Sequence, residues 1–258
     1  PIAVCYFFVL SGFIMAVAYY RQGSKTPLNK SKYWLARIAR IYPVYLLALL
    51  FMFADSIRKH DFDGIAAALN LFMFQSWIPG GYPLSYNSPG WSLSVEAFFY
   101  LSFPLWLLLA QRHHLKSLVV ISLMLWVGTQ LLQIGLLNNI LNASLGLPDY
   151  EARIFMQSHE QSPPLHDFIY YNPLMHLSTF VMGFVVGVYY CRGVFKNILS
   201  SNANTILMVV SSLLAAALII AQPQLEQLLG FKFALNNGLI APFFMAFIIF
   251  LALDKTVI

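Results

Sequence analysis

Charge-free apolar blocks recur along the chain, separated by short polar stretches. Seven of them, at 2–20, 37–54, 93–110, 118–141, 168–190, 203–222 and 233–253, approach the roughly 20 residues that a helix needs to cross a hydrocarbon core about 30 Å thick. Each predicts a spanning helix, because a segment inside lipid must satisfy its backbone N–H and C=O groups internally. An eighth run, 64–78, is uncharged but short. It leads into Pro79-Gly80-Gly81-Tyr82-Pro83 and then Asn87-Ser88-Pro89-Gly90, a density of breakers that a lipid-exposed helix would not survive. A re-entrant or interfacial segment is expected there.

The loop charges support that choice. Short cytoplasmic loops collect Lys and Arg. With seven spans and Pro1 outside, the inner loops hold Arg21, Lys25, Lys30, Lys32, Arg37, Arg40, Arg112, Lys116, Arg192, Lys196 and Lys255, leaving only Arg58, Lys59, Arg153 and Lys232 outside. Eight of the 10 acids lie on the outer side. Counting 64–78 as a span would flip every later loop and carry Arg112, Lys116, Arg192 and Lys196 to the outer face.

Composition agrees with a lipid solvent. Of 258 residues, 59% are hydrophobic and 10% charged, against about 25% charged in a soluble domain. The expected fold is an all-α polytopic transmembrane helix bundle, one membrane domain over 1–258, multi-pass in the plasma (inner) membrane. The net charge of +5 reflects loop placement rather than a nucleic-acid partner; the bilayer is the partner that the charges fit. Cys5 and Cys191 fall on different blocks near opposite faces, so no disulfide is expected between them. The chain opens on an apolar run without the pattern of a signal peptide and is expected to be the interior of a longer protein. No metal site is expected, since His and Cys never fall together at ligand spacing. Phosphate loops and Gly-x-Ser-x-Gly elbows are missing too, which removes soluble nucleotidase and hydrolase readings.

The densest chemistry lies in Trp91-Ser92-Leu93-Ser94-Val95-Glu96-Ala97-Phe98-Phe99-Tyr100-Leu101-Ser102-Phe103-Pro104. On a helix, Ser92, Glu96, Tyr100 and Phe103 share a face. Glu96 is the only acid within any predicted span, and a carboxylate in hydrocarbon usually faces a cavity with work to do. It suits a general base or a residue that orients one; the plainer alternative is a carboxylate favoured by the dipole of the first turn. Arg37 and Arg40, three apart, project from one face near the inner surface, and their guanidinium forks suit phosphate oxygens. Charge alone equally fits anchoring to anionic headgroups. His113 and His114 read as solvated loop residues, His166-Asp167 as a helix-end pair, and His176 as a hydrogen-bonding partner for a neighbouring helix. Gly183 and Gly187 form a small-xxx-small pair that lets helices approach closely.

Three of these segments, Phe7-Phe8-Val9-Leu10-Ser11-Gly12-Phe13, Arg37-Ile38-Ala39-Arg40-Ile41-Tyr42-Pro43 and Trp91 to Pro104, resemble in order and spacing the signatures of acyltransferase family three. Its members include membrane O-acetylases of O-antigen, peptidoglycan, exopolysaccharide and macrolide substrates. The stretches at 172–183 and 239–244 are similar to later, looser family segments, with His176 and Thr179 where Arg and Glu are expected. The resemblance implies an acyl-CoA donor substrate, usually acetyl-CoA, with no further cofactor, docked near Arg37 and Arg40. It implies transfer to a hydroxyl, often on a carbohydrate at the outer face. Glu96 is then the catalytic candidate of the covered part, with Trp91, Ser92, Ser94 and Tyr100 toward the acceptor. The family's catalytic histidine belongs to a helix preceding Phe7, so this segment alone is expected to be inactive, and a further hairpin is expected after Ile258. The alternative reading is a transporter or flippase of acyl groups or lipid-linked sugars, which would use the same polar path without chemistry; a non-catalytic scaffold is the third.

Overall fold

The computed structural model describes residues 2–23, 28–78, 86–87, 89–112, 114–145, 164–195 and 201–253. These form α1 (Ile2–Tyr19), α2 (Lys30–Lys59), α3 (Gly64–Leu71), α4 (Gly90–Arg112), α5 (Leu115–Leu145), α6 (Pro164–Tyr171), α7 (Pro173–Cys191), α8 (Ser201–Leu229) and α9 (Ala241–Leu253), with 3₁₀ turns at Gln75–Trp77 and Leu235–Asn237. No strand occurs among the described residues. Among the described residues, six helical stretches are long and apolar enough to cross a membrane, and they coincide with the first six predicted blocks.

The seventh block departs from expectation. Within 233–253 the chain first makes the 3₁₀ turn, passes Gly238 at φ 120°, and only then enters the 13-residue α9. The described part of this helix is about 20 Å long. Asn236, Asn237 and Gly238 favour a turn, and Pro242 sits in the first turn of α9, where its missing N–H costs nothing. The eighth run forms no long helix: α3 is capped by Asp63, whose Oδ1 accepts from Ile65 N at 2.7 Å and Ala66 N at 3.2 Å, and Met73 at φ 58° ends the helical path. α2 is longer than its block, beginning at the Asn29 cap (Lys32 N to Oδ1, 3.1 Å) and ending at the left-handed His60.

The chain divides into two compact units, Pro1–Lys25 with Leu105–Gly135 and His176–Ile258, and Thr26–Pro104 with Leu136–Met175. In the first unit α1 and α7 meet at their glycines. A carbon added at Gly12 would lie 2.7 Å from Phe184 N, one at Gly183 2.8 Å from the Val9 carbonyl carbon, and one at Gly187 2.6 Å from Ala16 Cβ. Glycine is therefore required for the approach at both ends of the contact, and Gly12 supplies the half of it that the spacing of Gly183 and Gly187 did not reveal. Cys191 Sγ lies 3.9 Å from Ala16 O, eleven residues or about 16 Å along α1 from Cys5, beyond disulfide reach. The irregular backbone before α9 is satisfied from α5: Trp126 Nε1 donates to Gly238 O at 2.8 Å, and Gln130 and Gln133 Nε2 donate to Asn237 O at 3.5 and 3.4 Å. Broken helices are tolerated at membrane depth only with such partners.

In the second unit α2 and α4 run antiparallel, with Tyr33 against Tyr100 and Phe103 and Tyr45 against Gly90. The 73–77 stretch fastens onto the start of α4. Ser94 Oγ donates to Met73 O, Gln75 Nε2 to Gly90 O at 3.0 Å and Ser76 Oγ to Trp91 O at 3.1 Å, while the Trp77 and Phe98 rings meet edge to face at 5.0 Å. Tyr42 and Tyr45 tie the same segment to α2 by donating to Leu71 O at 3.2 Å and Asn70 O at 2.7 Å.

Candidate functional site

Glu96 and Tyr100 stand one helical turn apart on α4, so the phenol reaches the carboxylate of its own helix and donates to Glu96 Oε1. Antiparallel packing lays Arg37 of α2 across the Tyr100 ring, with Cζ 5.4 Å from its centroid. That contact is a cation–π pair in a setting of low polarity. Arg40 lies three residues, about one turn, further along α2. Tyr100 is buried, Arg37 and Glu96 are half-buried, and Arg40 is exposed. A carboxylate, a phenol and the Arg37 guanidinium thus share one site inside a single unit, with Arg40 one turn away along α2.

The sequence places the arginines at the inner surface and Glu96 toward the other end of its helix. The structure draws them together. Arg37 is level with Tyr100, twelve residues or about 18 Å before α4 ends at Arg112. The reason is axial register. α4 does not start beside the far end of α2; it starts beside Tyr45, and the 64–78 segment meets α2 at the same level through Tyr42 and Tyr45.

The other candidates fall elsewhere. Ser92 Oγ, in the first turn of α4, donates to Pro89 O at 2.9 Å. Ser94 is buried with its hydroxyl committed to Met73 O. Trp91 is buried, packed edge-on against Tyr171 at 5.3 Å, and its carbonyl takes the Ser76 hydroxyl. Ser94 and Trp91 therefore face the 73–77 stretch and α6 rather than the arginines. His176 is buried with its ring 5.2 Å from that of Phe8 on α1, and Thr179 Oγ1 donates to its carbonyl at 2.6 Å. His114 is exposed, whereas His113 and the His166 side chain lie outside the described residues, as does most of the predicted outer loop at 142–167. Tyr33 escaped the sequence reading. It lies four residues before Arg37, and that spacing was the available signal.

Six helices able to span a bilayer among the described residues, and a charged cluster between two of them, define a multi-pass membrane protein with a polar site among its helices. The Acyltransferase domain profile of acyltransferase family three matches residues 1–256, and the chain belongs to that family. Acyltransferase MdmB of Streptomyces mycarofaciens is 30% identical over 208 residues, covering 76% of this chain and 48% of that protein. An uncharacterized protein of Haemophilus influenzae is 31% identical over 135 residues (46% and 55%), and Protein 2 in picA locus of Rhizobium radiobacter is 33% identical over 116 (37% and 60%). The chain thus spans about half the length of the curated relatives it matches. No solved structure matches it significantly.

Proposed function

We propose that the protein is an O-acyltransferase that moves an acyl group, acetyl in the simplest case, from acyl-CoA to a hydroxyl of a sugar or glycan. The observation that carries this reading is the meeting of Glu96, Tyr100 and Arg37 on two spanning helices, in a chain whose family is defined by acyl transfer. Arg37 and Arg40 hold phosphate oxygens of the donor, because guanidinium forks bind such oxygens in pairs. Glu96 orients the base that takes the acceptor proton, or takes it directly, and the alkoxide then attacks the thioester carbonyl and expels the CoA thiolate. Tyr100 fixes the carboxylate. The register of α2 and α4 supports a donor that penetrates well past the inner ends of the helices, so that acceptor and thioester meet within the bundle. The similarity to MdmB, an acyltransferase by name, agrees with this reading.

The transporter alternative gains one feature from the fold, a second broken segment at 230–240 in addition to that at 64–78, since discontinuous helices are a mark of transporters. Family membership favours chemistry. Transfer of label from radiolabelled acetyl-CoA to membrane glycans by the full-length protein separates the two. Enzymatic function predicts labelled glycan that disappears in Glu96→Gln and Arg37→Ala; wild-type labelling in both variants removes this mechanism.

A further inference from the structure

Pro104 lies inside α4 and has no N–H, so the carbonyl four residues earlier loses its helical donor. That carbonyl belongs to Tyr100, the residue whose side chain bridges Glu96 and Arg37. An unmatched carbonyl among apolar side chains is costly, and here α2 meets the need. Tyr33, 1% exposed, donates its hydroxyl to Tyr100 O at 2.7 Å, and its ring stacks on Phe103 with centroids 5.7 Å apart and planes 15° apart.

We propose that Tyr33 is a positioning residue, which fixes the guanidiniums of α2 in register with the carboxylate of α4 by replacing the hydrogen bond that Pro104 removes. The inference rests on the functional reading of the Arg37, Arg40 and Glu96 site given above. The geometry follows from helical spacing. Tyr33 and Arg37 are one turn apart on α2, and Tyr100 and Glu96 are one turn apart on α4. A bond from Tyr33 to the Tyr100 backbone therefore sets the level at which Arg37 crosses the phenol. Sliding α2 by one turn would break the bond and carry Arg37 off the ring. Pro104 leaves this one carbonyl open, so the interaction specifies a single register.

The test uses the purified full-length protein in detergent micelles, coenzyme A as probe, and the variants Tyr33→Phe, Pro104→Ala and the two combined. Alanine at 104 restores the amide that pairs with Tyr100 O, which makes the Tyr33 hydroxyl dispensable. Tyr33→Phe is expected to weaken coenzyme A binding at least fivefold, Pro104→Ala by less than twofold, and the double variant to bind within twofold of Pro104→Ala. Ser76→Ala, which removes another buried bond in the same unit (to Trp91 O, 3.1 Å), controls for general loosening and is expected to lower the melting temperature while affinity stays within twofold. Binding by Tyr33→Phe within twofold of wild type, or an equal loss in the Pro104→Ala background, overturns the proposal. If Tyr33→Phe fails to fold, the double variant must fold and bind; its failure has the same consequence. A wild-type protein that does not bind coenzyme A sinks the functional reading instead. The melting temperatures of the same four proteins then decide whether Tyr33 and Pro104 are coupled, and additive losses overturn that coupling.

Discussion

Replacing Gly183 by alanine should destabilise the protein, although alanine is the better helix former. The added carbon would lie 2.8 Å from the Val9 carbonyl carbon, 0.6 Å inside the 3.4 Å at which ordinary contact begins, and nearer still to the Val9 oxygen. Those atoms are backbone within α1 and cannot rotate aside, so the helices must separate. Overpacking of this kind costs about 1–3 kcal/mol, and the upper end applies where backbone meets backbone. Alanine returns about 1 kcal/mol of helix propensity, leaving a net loss of about 2 kcal/mol. Gly128 and Gly135 on α5 provide the comparison, because a carbon added at either meets nothing within 4 Å. Alanine there keeps the propensity gain of up to about 1 kcal/mol. The two classes of variant should therefore differ by about 3 kcal/mol with opposite signs, or roughly 6–12 °C in melting temperature for a chain of this size. Thermal unfolding of the detergent-solubilised protein, followed by the monomer peak in size exclusion, measures the gap. Equal melting temperatures for Gly183→Ala and Gly128→Ala would refute the reasoning, and with it the close contact of α1 with α7.

The remaining expectations concern the site and its supports. Glu96→Gln should lower the acyl-transfer rate by about 10²–10⁴ at saturating donor, the usual contribution of an acid–base group. Arg37→Ala should raise the apparent KM for acyl-CoA about ten- to hundredfold through lost charge-assisted hydrogen bonds, both read from labelled-donor kinetics. Ser94→Ala leaves the Met73 carbonyl without its side-chain donor and should cost about 1–3 kcal/mol in thermal unfolding; an unchanged melting temperature would separate the 73–77 stretch from α4. Asp63→Ala removes the cap of α3 and should cost about 0.5–2 kcal/mol, seen as faster amide exchange at Ile65 and Ala66.

Much of this architecture is legible in the amino-acid sequence. The six long helices follow from block length, because in lipid each helix closes its own hydrogen bonds and needs no distant partner. The pairing of Glu96 with Tyr100 follows from their spacing of four, and the non-spanning nature of 64–78 from its breakers. Family membership was carried by three short motifs. What the sequence could not supply was depth and rotation. Whether Arg37 stands at the surface or beside Tyr100 depends on where α4 begins along α2. That is decided by contacts 67 and 25 residues apart in sequence, Tyr33 with Tyr100 and Tyr45 with Asn70. Likewise, the apolar block at 233–253 reads as a span by composition, yet Trp126, Gln130 and Gln133, more than a hundred residues earlier, supply the donors that allow it to break at Gly238. Local patterns determine which segments become helices; long-range hydrogen bonds decide how far each slides past its neighbour, and so which side chains meet.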